Sequence, residues 1–208
     1  MTNMTNKTEK KNFGITDPIR PIGSIGPTRL IPLHGGFRKL FSYQMARIIY
    51  DLTVIFCKAF LDIKSRTNDQ MIQAARSGVQ NIAEGSQASG TSKKTELKLT
   101  NVARASLEEL LLDYEDFLRQ HGLSLWNKNT PEACTVRELS YRTDKTYMTY
   151  MTYMKNQEPA ANYLICLIHQ TNYLLDQLLK RQENDFIEHG GFTERLYTMR
   201  KSIRSSPG

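Results

Sequence analysis

The chain lacks the features that mark membrane proteins and secreted proteins. Its longest apolar runs, residues 52–56 and 163–168, are far too short to cross a bilayer. No apolar segment follows the first lysines, so a secretory signal is not expected. The three cysteines are an odd number without metal-ligand spacing, which suits a reducing compartment. We therefore expect a cytoplasmic protein.

The motifs of common enzymes are also missing. There is no GxxxxGK[ST] or GxGxxG sequence, the four histidines have no zinc-site spacing, and no Ser or Cys has a recognisable nucleophile context. Asp113, Glu115 and Asp116 could hold Mg²⁺ for phosphoryl transfer, but only residues 113 and 116 share a helical face. We expect no enzyme activity, no metal and no cofactor, and we rank metal-dependent phosphoryl transfer last.

What the chain does have is helical patterning. Apolar residues recur at three- and four-residue intervals in four long stretches, and no stretch has a strand pattern. The four predicted helices cover residues 38–61, 67–84, 91–122 and 159–190. The sequence therefore predicts an all-α protein, an up-down-up-down antiparallel four-helix bundle.

Particular residues set the expected helix ends. Thr67 or Asn68 is expected to cap the second helix and Gly85 to end it, while Thr91 or Ser92 caps the third. His169 lies in an apolar run of the fourth helix and is expected to be a hydrogen-bonded core histidine.

The bundle is predicted to carry three further segments. Residues 1–36 are rich in Pro and Gly and form an extended N-terminal arm, either flexible or lying on the surface. Residues 37–122 then hold the first three helices, and residues 123–158 form an irregular connector with a Tyr/Met triplet repeat at 147–154. After the fourth helix, residues 191–208 form a basic suffix with a short helix. The tetrapeptide HGGF occurs at 34–37 and 189–192, and we interpret it as turn chemistry rather than a duplicated site.

The third predicted helix has segregated charge. Its first half is basic, with Lys93, Lys94, Lys98 and Arg104 against Glu96, and residues 108–116 are acidic. A helix dipole favours the opposite order, so partners outside this helix are expected to meet these charges.

The formal net charge of +7 suggests an anionic partner, RNA or DNA, bound electrostatically. The candidate nucleic-acid-binding residues are Lys93, Lys94, Lys98, Arg76, Arg195, Arg200, Lys201 and Arg204. The candidate subunit-interface residues are Arg104, Glu108, Glu109, Asp113 and Asp116, because charges segregated along one helix suit head-to-tail assembly. The alternative function is a protein–protein interaction scaffold that binds no nucleic acid.

Three motifs carry a family resemblance. NIAEG at 81–85, the Ser-containing start of the third helix at 92–99 and ARASLEEL at 103–110 resemble small bacterial four-helix-bundle proteins. That family includes proteins encoded in intervening sequences of large-subunit ribosomal RNA genes and the accessory protein of diversity-generating retroelements, which partners a reverse transcriptase. GGFTERLYTMR resembles the C-terminal suffix of a longer subgroup. The resemblance implies a homo-oligomeric ring, typically of five subunits, with a basic surface for nucleic acid.

Overall fold

Four long helices enclose one apolar core. A computed structural model describes residues 30–141 and 150–205, and all regular structure in these ranges is helical. The helices are α1 (Phe41–Phe60), α2 (Arg66–Ala88), α3 (Lys93–Gln120), α4 (Pro131–Tyr141), α5 (Gln157–His189) and α6 (Phe192–Ser205), with 3₁₀ turns at Phe37–Lys39 and Tyr153–Lys155. The all-α class is therefore confirmed. None of the helices in these ranges is long and apolar enough to span a membrane.

The long helices pack on one another in a closed cycle. α1 and α3 each pack against both α2 and α5. Gly78 of α2 faces Leu107 of α3, and Gly85 faces Leu99, so α2 and α3 run antiparallel. The core side chains that they enclose include Phe56 and Tyr114, whose rings meet edge to face.

The structure corrects the predicted end of α2. Gly85 does not end the helix, which continues to Ala88, and its buried backbone lies against α3. A Cβ at position 85 would stand 3.3 Å from both the Glu96 carbonyl oxygen and the Leu99 Cβ. A side chain at this position would press on the α3 backbone, because the two helices approach closely. The cap of α2 is Ser65, two residues before Thr67, and the cap of α3 is Ser92, one of the two residues predicted.

The described part of the connector is more helical than predicted. It contains α4, whose Ala133 and Val136 are buried as the helix packs on α5. The end of the triplet repeat packs on the same helix, since the Tyr153 ring stacks on Tyr163 with centroids 4.4 Å apart. The rest of the repeat, residues 147–149, and most of the predicted arm, residues 1–29, lie outside the described residues.

The bounds of α1 and α5 also differ from the predicted ones by a few residues. α1 starts at Phe41 rather than residue 38 because Leu40 has an extended backbone that separates it from the 3₁₀ turn. α5 begins at Gln157, two residues before the predicted start, and ends before Gly190.

Candidate nucleic-acid interface

The basic half of α3 meets acidic side chains of α5. Lys93 Nζ lies 2.8 Å from Asp185 Oδ2 and 3.2 Å from Glu96 Oε2. Further along, Arg104 pairs with Asp176, and its Nη1 lies 3.9 Å from Glu108 Oε2. The expectation of partners outside α3 is thus fulfilled for Lys93 and Arg104 within the same chain.

Lys93 is held in place as a structural cation. Its side chain is only 18% exposed. Burial lowers the pKa of Lys93, but the hydrogen bond to Asp185 and the charges of Glu96 and Asp185 outweigh it and raise the pKa above its ordinary value. Burial and the charge of Asp185 together raise the pKa of Glu96 by more than Lys93 and Gln182 lower it. Lys93 therefore joins α3 to α5 and is not a free contact for phosphate.

Lys94 and Lys98 are the free lysines of this helix start. Both are exposed and are one turn apart, so they share a face of α3. No acidic side chain pairs with either of them within the described ranges. Arg76 is exposed too, but it lies level with about Glu108, roughly 15 Å along the bundle from Lys98. The structure therefore separates Arg76 from the two lysines.

The suffix supplies the remaining candidate cations for nucleic-acid binding. α6 has no buried residue, and its four cations against one acid give a net charge of +3. Arg200, Lys201 and Arg204 are exposed and have no acidic partner in the part of the chain that the structure describes. Arg195 differs, because it is half-buried and its Nη2 donates to the Gly90 carbonyl at 3.5 Å. That contact places the start of α6 beside the α2–α3 turn.

Both HGGF motifs form turns near this end of the bundle. The first glycine of each has a left-handed backbone, with φ +80° at Gly35 and +64° at Gly190, and each phenylalanine then begins a helical segment. The Gly35 amide donates to the Ser86 carbonyl at 3.0 Å, which ties the end of the predicted arm to α2. The repeated tetrapeptide is therefore a repeated turn that leads into a helix.

A polar cavity of about 290 Å³ lies beneath the first of these turns. Gln182 of α5 lines it, is 8% exposed, and donates from Nε2 to Glu96 Oε1 at 3.2 Å. The Gln182 Oε1 atom is buried without a partner.

The acidic half of α3 leaves part of its charge unpaired. Asp116 pairs with Arg119 at 2.7 Å, and Glu108 accepts from Asn172, but Glu109 and Asp113 pair with no cation among residues 30–141 and 150–205. Burial, followed by the charges of Glu109 and Asp116, raises the pKa of Asp113. A cation-rich partner would relieve this crowding of like charge.

The remaining chemical candidates find little support in the geometry. No group of three potential His, Cys, Asp or Glu ligands converges anywhere in the described segments. His169 is exposed on α5, so the expectation of a core histidine was wrong. His169 is next to apolar residues in the sequence, but those residues face the core whereas His169 faces outward.

No protein-family profile, no curated protein and no solved structure matches the chain. The likeness to the bacterial four-helix-bundle family accordingly stays a prediction from the motifs at 81–85, 92–99 and 103–110.

Proposed function

We propose that this chain is a cytoplasmic, non-enzymatic, oligomeric protein that binds RNA or DNA through the exposed cations at the α2–α3 end. The observation that carries the proposal is α6, a helix with no buried residue, a net charge of +3 and three cations without an acidic partner in the described residues. It begins beside the start of α3, where Lys94 and Lys98 are also free. A polyanion is the partner that such unpaired charge favours.

The scaffold proposed for this surface is an up-down-up-down four-helix bundle of α1, α2, α3 and α5. Antiparallel contacts support it. Lys93 faces Asp185 and Arg104 faces Asp176, so the sequence number rises along α3 as it falls along α5, as it does between α3 and α2. In such a bundle the α2–α3 turn and the end of α5 lie at one end, which brings α6 there as well.

The salt dependence of binding tests the proposal. The exposed set holds five cations: Lys94, Lys98, Arg200, Lys201 and Arg204. If all five neutralise phosphates of a single strand, log K falls against log salt with a slope of about −3.5. Anisotropy titrations of labelled single-stranded RNA and duplex DNA over a salt series measure this slope. No binding at low salt, or binding that is insensitive to salt, would refute the proposal.

Assembly is the second element of the proposal. We expect a homo-oligomer, a ring of about five subunits, in which Glu109, Asp113 and Asp116 of one copy lie at the subunit interface and the cations of α6 stay free for the polyanion. Val102 is 37% exposed and Leu112 57% exposed on this part of α3, so the acidic surface also offers apolar contact. A ring would multiply the basic field and strengthen binding to a long polyanion. It could thereby serve a nucleic-acid enzyme such as a reverse transcriptase.

Light scattering of Glu109→Lys/Asp113→Lys tests the assembly. The variant is expected to be monomeric, whereas Arg200→Glu/Lys201→Glu on α6, outside this interface, is expected to keep the oligomer. An oligomer of unchanged size in the first variant would rule out this interface.

A protein-interaction scaffold is the second candidate function. Tyr197 and Ile203 of α6 are 68% and 72% exposed, and such apolar side chains on a surface helix suit a protein partner. A pull-down with a partner that survives nuclease treatment would favour this function, whereas loss of all partners after nuclease would favour nucleic-acid binding.

A further inference from the structure

A second cavity, of about 450 Å³, lies at the other end of α3. It is enclosed by α4, α5 and the loop between α3 and α4, and Glu115 on its wall is roughly 30 Å along α3 from Lys94. Its volume is in the range of small-molecule sites, and its wall is largely apolar. This cavity is separate from the basic end of the molecule.

Hydrogen bonds fix the loop side of the cavity wall. Asn162 of α5 is 1% exposed, and its Oδ1 accepts from the Trp126 amide at 2.7 Å. Its Nδ2 donates to the Ser124 carbonyl at 2.8 Å, so one buried amide holds the loop at two points. On the other side, Ala133 of α4 lines the cavity and is 2% exposed. The two hydrogen bonds to Asn162 therefore fix the loop backbone that places Trp126 in the cavity wall.

One polar group in this wall has no partner. Both side-chain atoms of Gln170, Nε2 and Oε1, are buried and make no hydrogen bond. Leaving both a donor and an acceptor unsatisfied costs free energy, and native proteins rarely do so without a reason. If the Gln170 side chain turns its amide into the cavity, a ligand that presents an adjacent acceptor and donor satisfies both atoms. The N7 and amino group of adenine form such a pair, and glutamine binds that edge with two hydrogen bonds.

The other wall residues select the rest of the ligand. Trp126 and Tyr173 supply aromatic surface for a planar ring. Arg137 and Lys128 supply two positive charges against the single carboxylate of Glu115, which favours an anionic group.

Reactive chemistry is not expected here. Burial raises the pKa of the Cys166 thiol to about 11, although Arg137 lowers it. The thiol therefore stays protonated and weakly nucleophilic at neutral pH. The cavity has the groups for binding and lacks an activated nucleophile.

We propose that this cavity binds an adenine mononucleotide, with the ring between the aromatic side chains, the adenine edge on Gln170 and the phosphate near Arg137 and Lys128. The inference does not depend on nucleic-acid binding at the basic end.

Trp126 is the only tryptophan of the chain, so its fluorescence reports on this cavity directly. Titration with AMP is expected to give a saturable change. Inosine monophosphate, which lacks the amino donor, and adenosine, which lacks the phosphate, should each bind about tenfold more weakly. Binding of all three with equal affinity, or no saturable change with AMP at millimolar concentration, would overturn the proposal.

Gln170→Leu separates a ligand-binding amide from a structural one. The variant should bind AMP at least about tenfold more weakly, yet unfold at a higher temperature, because a buried unsatisfied amide has been removed. Gln177→Leu, at an exposed position of the same helix, is the matched control and should bind AMP like the wild type. If Gln170→Leu binds AMP normally, or unfolds at a lower temperature, the amide does not serve the ligand and the proposal fails.

Discussion

The close approach of α2 to α3 at Gly85 predicts that a single methyl group will destabilise the protein. Alanine is a better helix former than glycine by about 1 kcal/mol in a helix interior, so Gly85→Ala would stabilise an isolated α2. In the folded protein the new Cβ would lie 3.3 Å from the Glu96 carbonyl oxygen and from the Leu99 Cβ. Both atoms are fixed to the α3 backbone and cannot rotate away.

The two effects have opposite signs, and the packing effect is the larger. Relief requires the helices to separate by a few tenths of an ångström, which loosens the contacts on both sides of Gly85. Overpacking of a tight core costs about 1–3 kcal/mol. After the gain in helix propensity is subtracted, Gly85→Ala should lower the free energy of unfolding by about 1 kcal/mol.

Urea denaturation measures this difference. The matched control is the pair Gln80→Ala and Gln80→Gly at an exposed position of α2, which gives the propensity difference in this helix without any clash. If Gly85→Ala is more stable than the wild type by the full propensity difference, the helices are not held together closely at this point and the reasoning is refuted.

Two further predictions concern the interior and the acidic surface. Tyr114 and Thr53 are both fully buried, and the Tyr114 hydroxyl donates to Thr53 Oγ1 at 3.0 Å. Tyr114→Phe should therefore cost about 1–2 kcal/mol in urea denaturation, most of it recovered in the double variant with Thr53→Val; a Tyr114→Phe variant as stable as the wild type would contradict this. The raised pKa of Asp113 means that its charged form is disfavoured in the folded state, a cost present above the folded pKa and absent below the ordinary value of 3.8. At a protein concentration low enough to dissociate the oligomer, Asp113→Asn should raise the melting temperature at neutral pH, with the gain disappearing in acid, and a lower melting temperature at neutral pH would show that Asp113 has a stabilising partner within the chain.

The sequence predicted the parts of the fold that depend on local pattern. The periodic apolar residues located the four long helices, and Ser92 caps α3 as expected because a serine before a helical run is a strong start signal. The charge order of α3 correctly indicated partners outside the helix, but α5 supplies those of Lys93 and Arg104. The helix that supplies these partners is decided by tertiary packing, which the sequence pattern alone does not show.

Two of the predictions are wrong although the sequence holds the relevant signals. A glycine near the end of an apolar pattern favours a helix end, but Gly78 lies two turns before Gly85 on the same face, and together the two glycines mark a close helix contact. In the connector, Thr130 accepts from the Ala133 amide and Pro131 opens α4, an arrangement typical of a helix start. The buried Gln170 amide without hydrogen bonds could not be predicted, because the lack of a hydrogen-bond partner is known only once the surrounding helices are placed.

The central claim is that the exposed cations of α6 bind a polyanion. The measurement that tests it most directly compares the salt slope of nucleic-acid binding in two charge-matched triple variants. One replaces the free cations of α6: Arg200→Gln, Lys201→Gln and Arg204→Gln. The other replaces three exposed cations around the α1–α2 connection: Lys58→Gln, Lys64→Gln and Arg66→Gln.

The α6 variant should bind single-stranded RNA with a slope shallower by about 2, because about 0.7 counterions are released per phosphate neutralised. The control variant should keep the wild-type slope, although both have lost the same net charge. If the two variants change the slope equally, or if the α6 variant keeps the wild-type slope, the α6 surface is not the nucleic-acid interface.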